Sequence, residues 1–278
     1  MAEFDCPTVI PYMGGKTQLT RVLSPNLPEH KYYIEVFAGG LSMFFRKAPC
    51  ELSILNDLNN DISNLYYVLS QPDLFEQFMH RAYWLVSSRK IYKHIESNYI
   101  ENEFTFPDVR QAVFFYYYIK TSFNNRFNSG WNSYKTWNTY ELEVLKLSRN
   151  KLNGTTIENC DYADLIDKHK GKENSFWYLD PPYVITDVKS YYKYNFSIDD
   201  HQKMFNKVQE LVEHNPTAKI MISYDDIDFI KEMYKSWNIK IIPVRHATKL
   251  GRESNELVIT NYKMIEQVNF EFGDDNEN

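Results

Sequence analysis

Cysteine is scarce in this chain of 278 residues: Cys6, Cys50 and Cys160 lie far apart, odd in number and without a Cys-x-x-Cys pair. That pattern excludes a disulfide scaffold and argues against a structural zinc site, so no metal is expected and the thiols read as those of a reduced, cytoplasmic protein. No apolar run is long enough to cross a bilayer, so no membrane partner is expected. The first seven residues hold two acids and no base, which is not the charge pattern of a secretory signal. Repeats and low-complexity segments are absent, and only the polar tail from Asp274 to Asn278 reads as disordered. Basic residues are in deficit, 31 against 37 acids, for a formal charge of −6; that excludes a non-specific nucleic-acid coat. Acids, in turn, are missing from one stretch, Arg110 to Tyr140, which holds Lys120, Arg126 and Lys135.

What is present centres on Asp180-Pro181-Pro182-Tyr183, at the end of the apolar run Phe176 to Leu179. An apolar β-forming run stopped by a proline pair reads as a buried strand followed by a rigid loop. Two prolines remove two backbone donors, so the loop offers carbonyl acceptors without competing N–H groups. Asp180 and the Pro181 carbonyl can accept both hydrogens of an exocyclic amine, and Tyr183 can stack on its ring. A site for a flat, amino-bearing heterocycle follows; the plain alternative is a proline turn capping a strand.

Upstream, Pro11-Tyr12-Met13-Gly14-Gly15-Lys16 precedes a short helical pattern that Ser24-Pro25 stops. A glycine turn and a cation at a helix start can hold an anion, although the P-loop register is incomplete. Tyr32 to Phe37 reads as a strand, followed by the turn Ala38-Gly39-Gly40 and a helix-like stretch from Leu41 to Lys47. Leu52 to Leu55 reads as a second strand ending in Asn56-Asp57. Glycines after the first strand and an acid at the tip of the second form an adenosine-cofactor pattern, with Asp57 as the ribose acceptor. The pattern does not separate NAD from S-adenosylmethionine.

Helical spacing over Asp61 to Leu69 and Leu74 to Trp84 gives way to an inserted, largely helical subdomain. Its segment Thr121 to Asn132 reads as a loop or hairpin, rich in Asn and aromatics. Asn124, Asn125, Arg126, Asn128, Trp131 and Lys135 are its candidate DNA contacts, since Arg and Asn read guanine and adenine edges and aromatics stack on bases; the plain alternative is a solvated loop over an aromatic core. A second acid-free patch, Val244 to Arg252, could hold phosphates. Strands are expected again at Thr155 to Asn159, Phe176 to Leu179, Lys219 to Ser223, Ile239 to Val244 and Glu256 to Ile259, with a helix from about Ile198 to Val212. The expected fold is α/β: a twisted, mostly parallel Rossmann-like sheet formed by residues 1–69 and 148–278, interrupted by a mostly helical inserted unit, 70–147.

This order of motifs resembles the Dam-like family of DNA adenine-N6 methyltransferases over nearly the whole chain, and Asp180 to Tyr183 is its most specific part. The resemblance implies S-adenosylmethionine as cofactor, with Tyr12 and Lys16 in the N-terminal cofactor motif. It also implies Glu35 and Phe37 in the strand-to-glycine motif, Asp57 on the ribose, Asp161 and Tyr162 beside the cofactor adenine, and Asp180 at the cofactor and the target base. The family's usual Phe-x-Gly-x-Gly stands here as Phe37-Ala38-Gly39-Gly40-Leu41, and Gly40 is expected to do the last glycine's work one position early. Pro11 replaces the Lys found in many GATC-methylating members, so the recognition sequence does not carry over; Arg126 is the expected guanine reader. Methyl transfer to N6 of an adenine flipped out of DNA is the implied reaction, in a protein of bacterial or bacteriophage type. A cognate restriction endonuclease, or none, is the open partner. Cytosine-N4 methylation and a non-catalytic DNA-binding protein are the alternatives.

Overall fold

Among the described residues, seven segments form strands: β1 (Tyr32–Glu35), β2 (Leu52–Asn56), β3 (Thr156–Glu158), β4 (Ser175–Leu179), β5 (Lys219–Asp225), β6 (Asn238–Arg245) and β7 (Glu253–Thr260). The computed structural model describes residues 6–10, 17–100, 102–123, 129–135, 137–182, 196–245 and 253–264. The strands make one sheet in the order β3-β2-β1-β4-β5-β7-β6. The pairs from β3 to β5 are parallel, and β7 runs antiparallel to both β5 and β6. This is a Rossmann-like sheet, in which the strand order reverses between β1 and β4, the place where such sheets open a crevice at the strands' carboxyl ends.

Alternation along the strands divides the core. Tyr33, Leu55, Phe176, Tyr178, Met221 and Val258 face one side, and Ile34, Ile54, Trp177, Leu179, Ile222 and Ile259 the other. Both faces must be covered, because each carries large buried side chains. The second face packs on α7 (Tyr162–His169), α8 (Ile198–His214) and α9 (Asp228–Met233) through residues such as Leu165, Val208 and Ile230. Asp161 caps α7, and Ser197 with Asp200 forms a capping box that starts α8.

On the first side lie α1 (Thr17–Leu23), α2 (Asn60–Ser70), α3 (Pro72–Tyr83), α4 (Arg89–Asn98), α5 (Val109–Thr121) and α6 (Tyr140–Leu152), whose buried residues join that face's core, with α3 and α4 packed on α5. In α5 the run Phe115 to Ile119 is fully buried, as its apolar composition requires. Polar clasps tie this helix to α2. The buried Gln111 amide donates to Asp61 at 2.6 Å, and Asn64 exchanges two hydrogen bonds with the Asp108 backbone at 2.8 and 2.9 Å. After α5 the chain folds back: Ser122 bridges Trp131, the Phe123 amide donates to the Gly130 carbonyl, and the Asn132 amide donates to the Thr121 carbonyl. Gly130, at φ 82°, makes the return.

Two expectations are corrected. Leu41 to Lys47 forms irregular turns, not a helix. The Phe44 amide donates to the Glu35 carboxylate at 3.2 Å, which takes it out of a helical ladder. The stretch from Arg110 to Tyr140 is also less basic than its composition suggests, because Glu141 on α6 pairs with Lys120 at 2.6 Å. Among the described residues, no helix is long and apolar enough to cross a membrane.

Candidate active site at the strand ends

The expected site residues come from four chain segments spread from Glu35 to Pro182, and the parallel strands bring them to one edge. Glu35, Phe37, Gly39 and Gly40 follow or end β1, Asp57 follows β2, Asp161 and Tyr162 follow β3, and Asp180, Pro181 and Pro182 follow β4. Asn56 fastens three of these ends. Buried at the tip of β2, its amide donates to the Val36 carbonyl and to the Cys160 carbonyl, both at 3.0 Å, and its oxygen accepts the Cys160 amide at 3.0 Å.

The glycine turn is held from all sides. The Ala38 amide donates to the Asn56 carbonyl at 2.7 Å, the Gly39 amide to Asp57 Oδ2 at 2.8 Å, and the buried Tyr66 hydroxyl on α2 to the Gly39 carbonyl at 2.8 Å. Positive φ falls on Gly39 (45°) and on Leu41 (54°). At the place of the missing glycine it is Leu41, fully buried, and not Gly40, that takes the left-handed backbone. Such a conformation is costly for a leucine and persists only where its surroundings over-determine it.

Two carboxyls behind and beside this turn are perturbed. Asp57 also accepts the Asn59 amide at 2.8 Å on its other oxygen, yet burial outweighs both bonds and pushes its pKa up to about 6. One lone pair on each oxygen is left for a further donor. Glu35 is buried among Tyr33, whose hydroxyl donates to Oε2 at 2.6 Å, the Phe44 amide and Lys47. Burial, with repulsion from Asp180, drives its pKa to about 8. Lys47 is itself almost fully buried, 4.6 Å from the Tyr33 ring centroid, and burial lowers its pKa.

An aromatic wall stands beside Asp161. Phe37, Tyr162 and Phe196 pack with ring centroids 5.7 to 6.1 Å apart. The Asp161 carboxylate is partly committed, since it accepts the Ala163 amide at 2.8 Å. Asp180 accepts the Ser223 hydroxyl at 3.0 Å, Pro181 is buried and Pro182 half-buried. Trp131 and Lys135 lie beyond α5 in the helical layer, the Trp131 ring covered by the Arg89 guanidinium at 5.0 Å. Tyr12, Lys16, Asn124, Asn125, Arg126, Asn128 and Tyr183 lie outside the described residues, as does 246–252 of the second basic patch. Sequence reasoning missed Asn56, Tyr66, Phe196 and Ser223 as parts of this site. A serine inside the apolar run Ile220 to Tyr224 was a signal, because a buried hydroxyl needs a partner.

Residues 12–250 match the family profile described as D12 class N6 adenine-specific DNA methyltransferase. The chain belongs to this family. Its members methylate adenine N6 in DNA, so the D12 assignment selects adenine over the cytosine-N4 alternative and an enzyme over a non-catalytic binder. The type II methyltransferase M1.LlaDCHI of Lactococcus lactis subsp. cremoris is 23% identical over 272 residues, covering 90% of this chain and 94% of its own. The DNA adenine methylase of Escherichia coli K12 is 23% identical over 253 residues, covering 85% and 87%. The DNA N-6-adenine-methyltransferase of Escherichia phage P1 is 23% identical over 256 residues, 87% of this chain and 33% of that longer protein. These relatives extend across 85–90% of the chain.

Proposed function

We propose that this D12 enzyme uses S-adenosylmethionine as its methyl donor and takes the target adenine, flipped out of the duplex, against Asp180, Pro181, Pro182 and Tyr183. The observation that carries this reading is the meeting of the Gly39 turn, Asp57, the Phe37–Tyr162 wall and Asp180 at the carboxyl ends of four adjacent parallel strands. The donor set fits the cofactor. Asp57, ionised above about pH 6, keeps acceptor capacity for a ribose diol; the aromatic faces suit an adenine; and the left-handed Gly39 lets backbone approach closely.

S-adenosylmethionine, when bound, supplies an electrophilic methyl group on a sulfonium. Asp180 and the Pro181 carbonyl accept the two N6 hydrogens of the adenine, which turns the nitrogen lone pair toward the methyl. Tyr183 stacks on the base. Extrusion of the base costs a few kcal/mol, which stacking and these hydrogen bonds offset. Rate acceleration then comes from orientation and electrostatics, without a covalent nucleophile.

Residues 70–147 are proposed as the DNA target-recognition unit inserted into the catalytic domain of 1–69 and 148–278. Support comes from the hairpin base at Ser122 and Trp131 and from the exposed Phe123 and Tyr134 beside it. Arg126, Asn124, Asn125, Asn128, Trp131 and Lys135 remain the proposed DNA contacts. The test is to incubate DNA with the enzyme and labelled S-adenosylmethionine, digest it and identify the labelled nucleoside. Label in N6-methyldeoxyadenosine alone is expected. No transfer from this donor to DNA would overturn the proposal.

A further inference from the structure

The Asp180 carboxylate is backed by a buried chain of two hydroxyls. Ser223 on β5 donates from Oγ to Asp180 Oδ1 at 3.0 Å, and the Tyr178 hydroxyl on β4 lies 3.0 Å from Ser223 Oγ. A serine hydroxyl has one proton. With that proton given to the carboxylate, the Tyr178 contact has only one direction: Tyr178 donates to Ser223, and Ser223 donates to Asp180. Ser223 is fully buried and Tyr178 nearly so. Burial, and then the neighbouring Asp180 carboxylate, hold the Tyr178 phenol well above its ordinary range, so it stays a donor.

The strand register explains the contact. Leu179 stands opposite Ile222 in the β4–β5 pairing, and Asp180 and Ser223 are the next residues on each strand. Tyr178 and Ser223 are therefore held by the sheet itself and not by a loop. We infer that Tyr178 and Ser223 are positioning residues for methyl transfer: their hydroxyl chain anchors Oδ1 of Asp180 and so sets the orientation in which the carboxylate meets the N6 amino group of the target adenine. This inference rests on the reading of Asp180 as the acceptor for that amino group. A serine suits the task because it fixes the carboxylate plane while leaving its charge in place, whereas a lysine or arginine would compete for both oxygens. Residues that lock the rotamer of a reacting group set its placement, and a displacement of about 1 Å can cost on the order of 100-fold in rate.

The experiment is single-turnover methylation of DNA by wild type, Ser223→Ala, Ser223→Thr, Tyr178→Phe and Ser223→Ala/Tyr178→Phe, with calorimetric titration of S-adenosylmethionine in parallel. Ser223→Ala is expected to lower the transfer rate about 10- to 100-fold with donor affinity unchanged. Ser223→Thr, which keeps the hydroxyl, is expected to restore most of the rate. Tyr178→Phe should lose a smaller factor, and the double variant should be no slower than Ser223→Ala, since both lesions break one chain. Wild-type rates in Ser223→Ala, equal losses in Ala and Thr, or fully additive losses would overturn the inference. Should Ser223→Ala not fold, an unchanged rate in Tyr178→Phe does the same. Asp180→Ala in the same assay separates the two levels. If it transfers methyl at the wild-type rate, the reading of Asp180 has failed; if it is inactive while Ser223→Ala is unimpaired, only the positioning chain has.

Discussion

The Gly39 amide donates to Asp57 at 2.8 Å, so the glycine turn after β1 and the acid after β2 form one unit across 18 positions of sequence. The same carboxylate is proposed to hold the ribose, and the two tasks use different lone pairs. Asp57→Asn should weaken donor binding about 10-fold or more, because a neutral amide cannot accept from the backbone and from a diol on both sides. Calorimetry on the two proteins checks this. Donor affinity in wild type should also fall as pH drops through about 6, where Asp57 gains its proton.

Leu41 occupies a left-handed position that glycine would take without strain. Leu41→Ala loses a buried side chain and keeps the strain, at a cost of about 2–5 kcal/mol. Leu41→Gly loses the same side chain but relaxes the backbone, so it should be the more stable of the two by about 1 kcal/mol. This reverses the usual order of alanine and glycine. Thermal melts of both variants decide it.

Glu35 makes stability depend on pH in a defined direction. Its folded pKa, raised by burial to about 8, exceeds the ordinary value of 4.5. The native state therefore holds the proton more tightly than the unfolded chain, a contribution present in full below about 4.5 and lost as pH rises through 8. Glu35→Gln is neutral throughout. Between pH 6 and 9 the melting temperature of wild type should fall relative to that of Glu35→Gln, and parallel curves would contradict the assignment.

Asn56 serves β1, β2 and the loop after β3 with one side chain. Asn56→Ala strands two carbonyls and an amide in a buried site and should cost about 2–4 kcal/mol. Donor binding should weaken as well, since Val36 and Cys160 adjoin Phe37 and Asp161. Denaturant unfolding together with calorimetry reads both effects.

Much of this was legible in the chain. The central strands are short apolar, β-forming runs, β4 buried at every position, while β3 at the edge is only half-buried and read less plainly. The places of the glycine turn after β1 and of Asp57 after β2 were legible, because glycines and an acid there follow directly on two β-forming runs. Pairwise matters were not legible. Leu41 to Lys47 has a helical composition, but Phe44 spends its amide on Glu35, nine residues back, and local propensity carries no record of that. Lys120 looks unopposed until α6 brings Glu141 to it. Ser223 meets Asp180 over 43 positions only because β4 and β5 are neighbours in register. Strand order, and with it the crevice between β1 and β4, comes from tertiary packing that no single run encodes.

The most direct test of the account is the Asp180→Ala variant, assayed for tritiated methyl transfer from S-adenosylmethionine to DNA alongside calorimetric binding of the same donor. Asp180 is expected to touch the donor too, but Asp57 and the Gly39 turn are untouched, so binding should weaken by no more than about 10-fold while transfer falls by a factor of at least about 1,000. Transfer at the wild-type rate with binding intact would contradict the assignment of Asp180 to the target amino group, and with it the central claim.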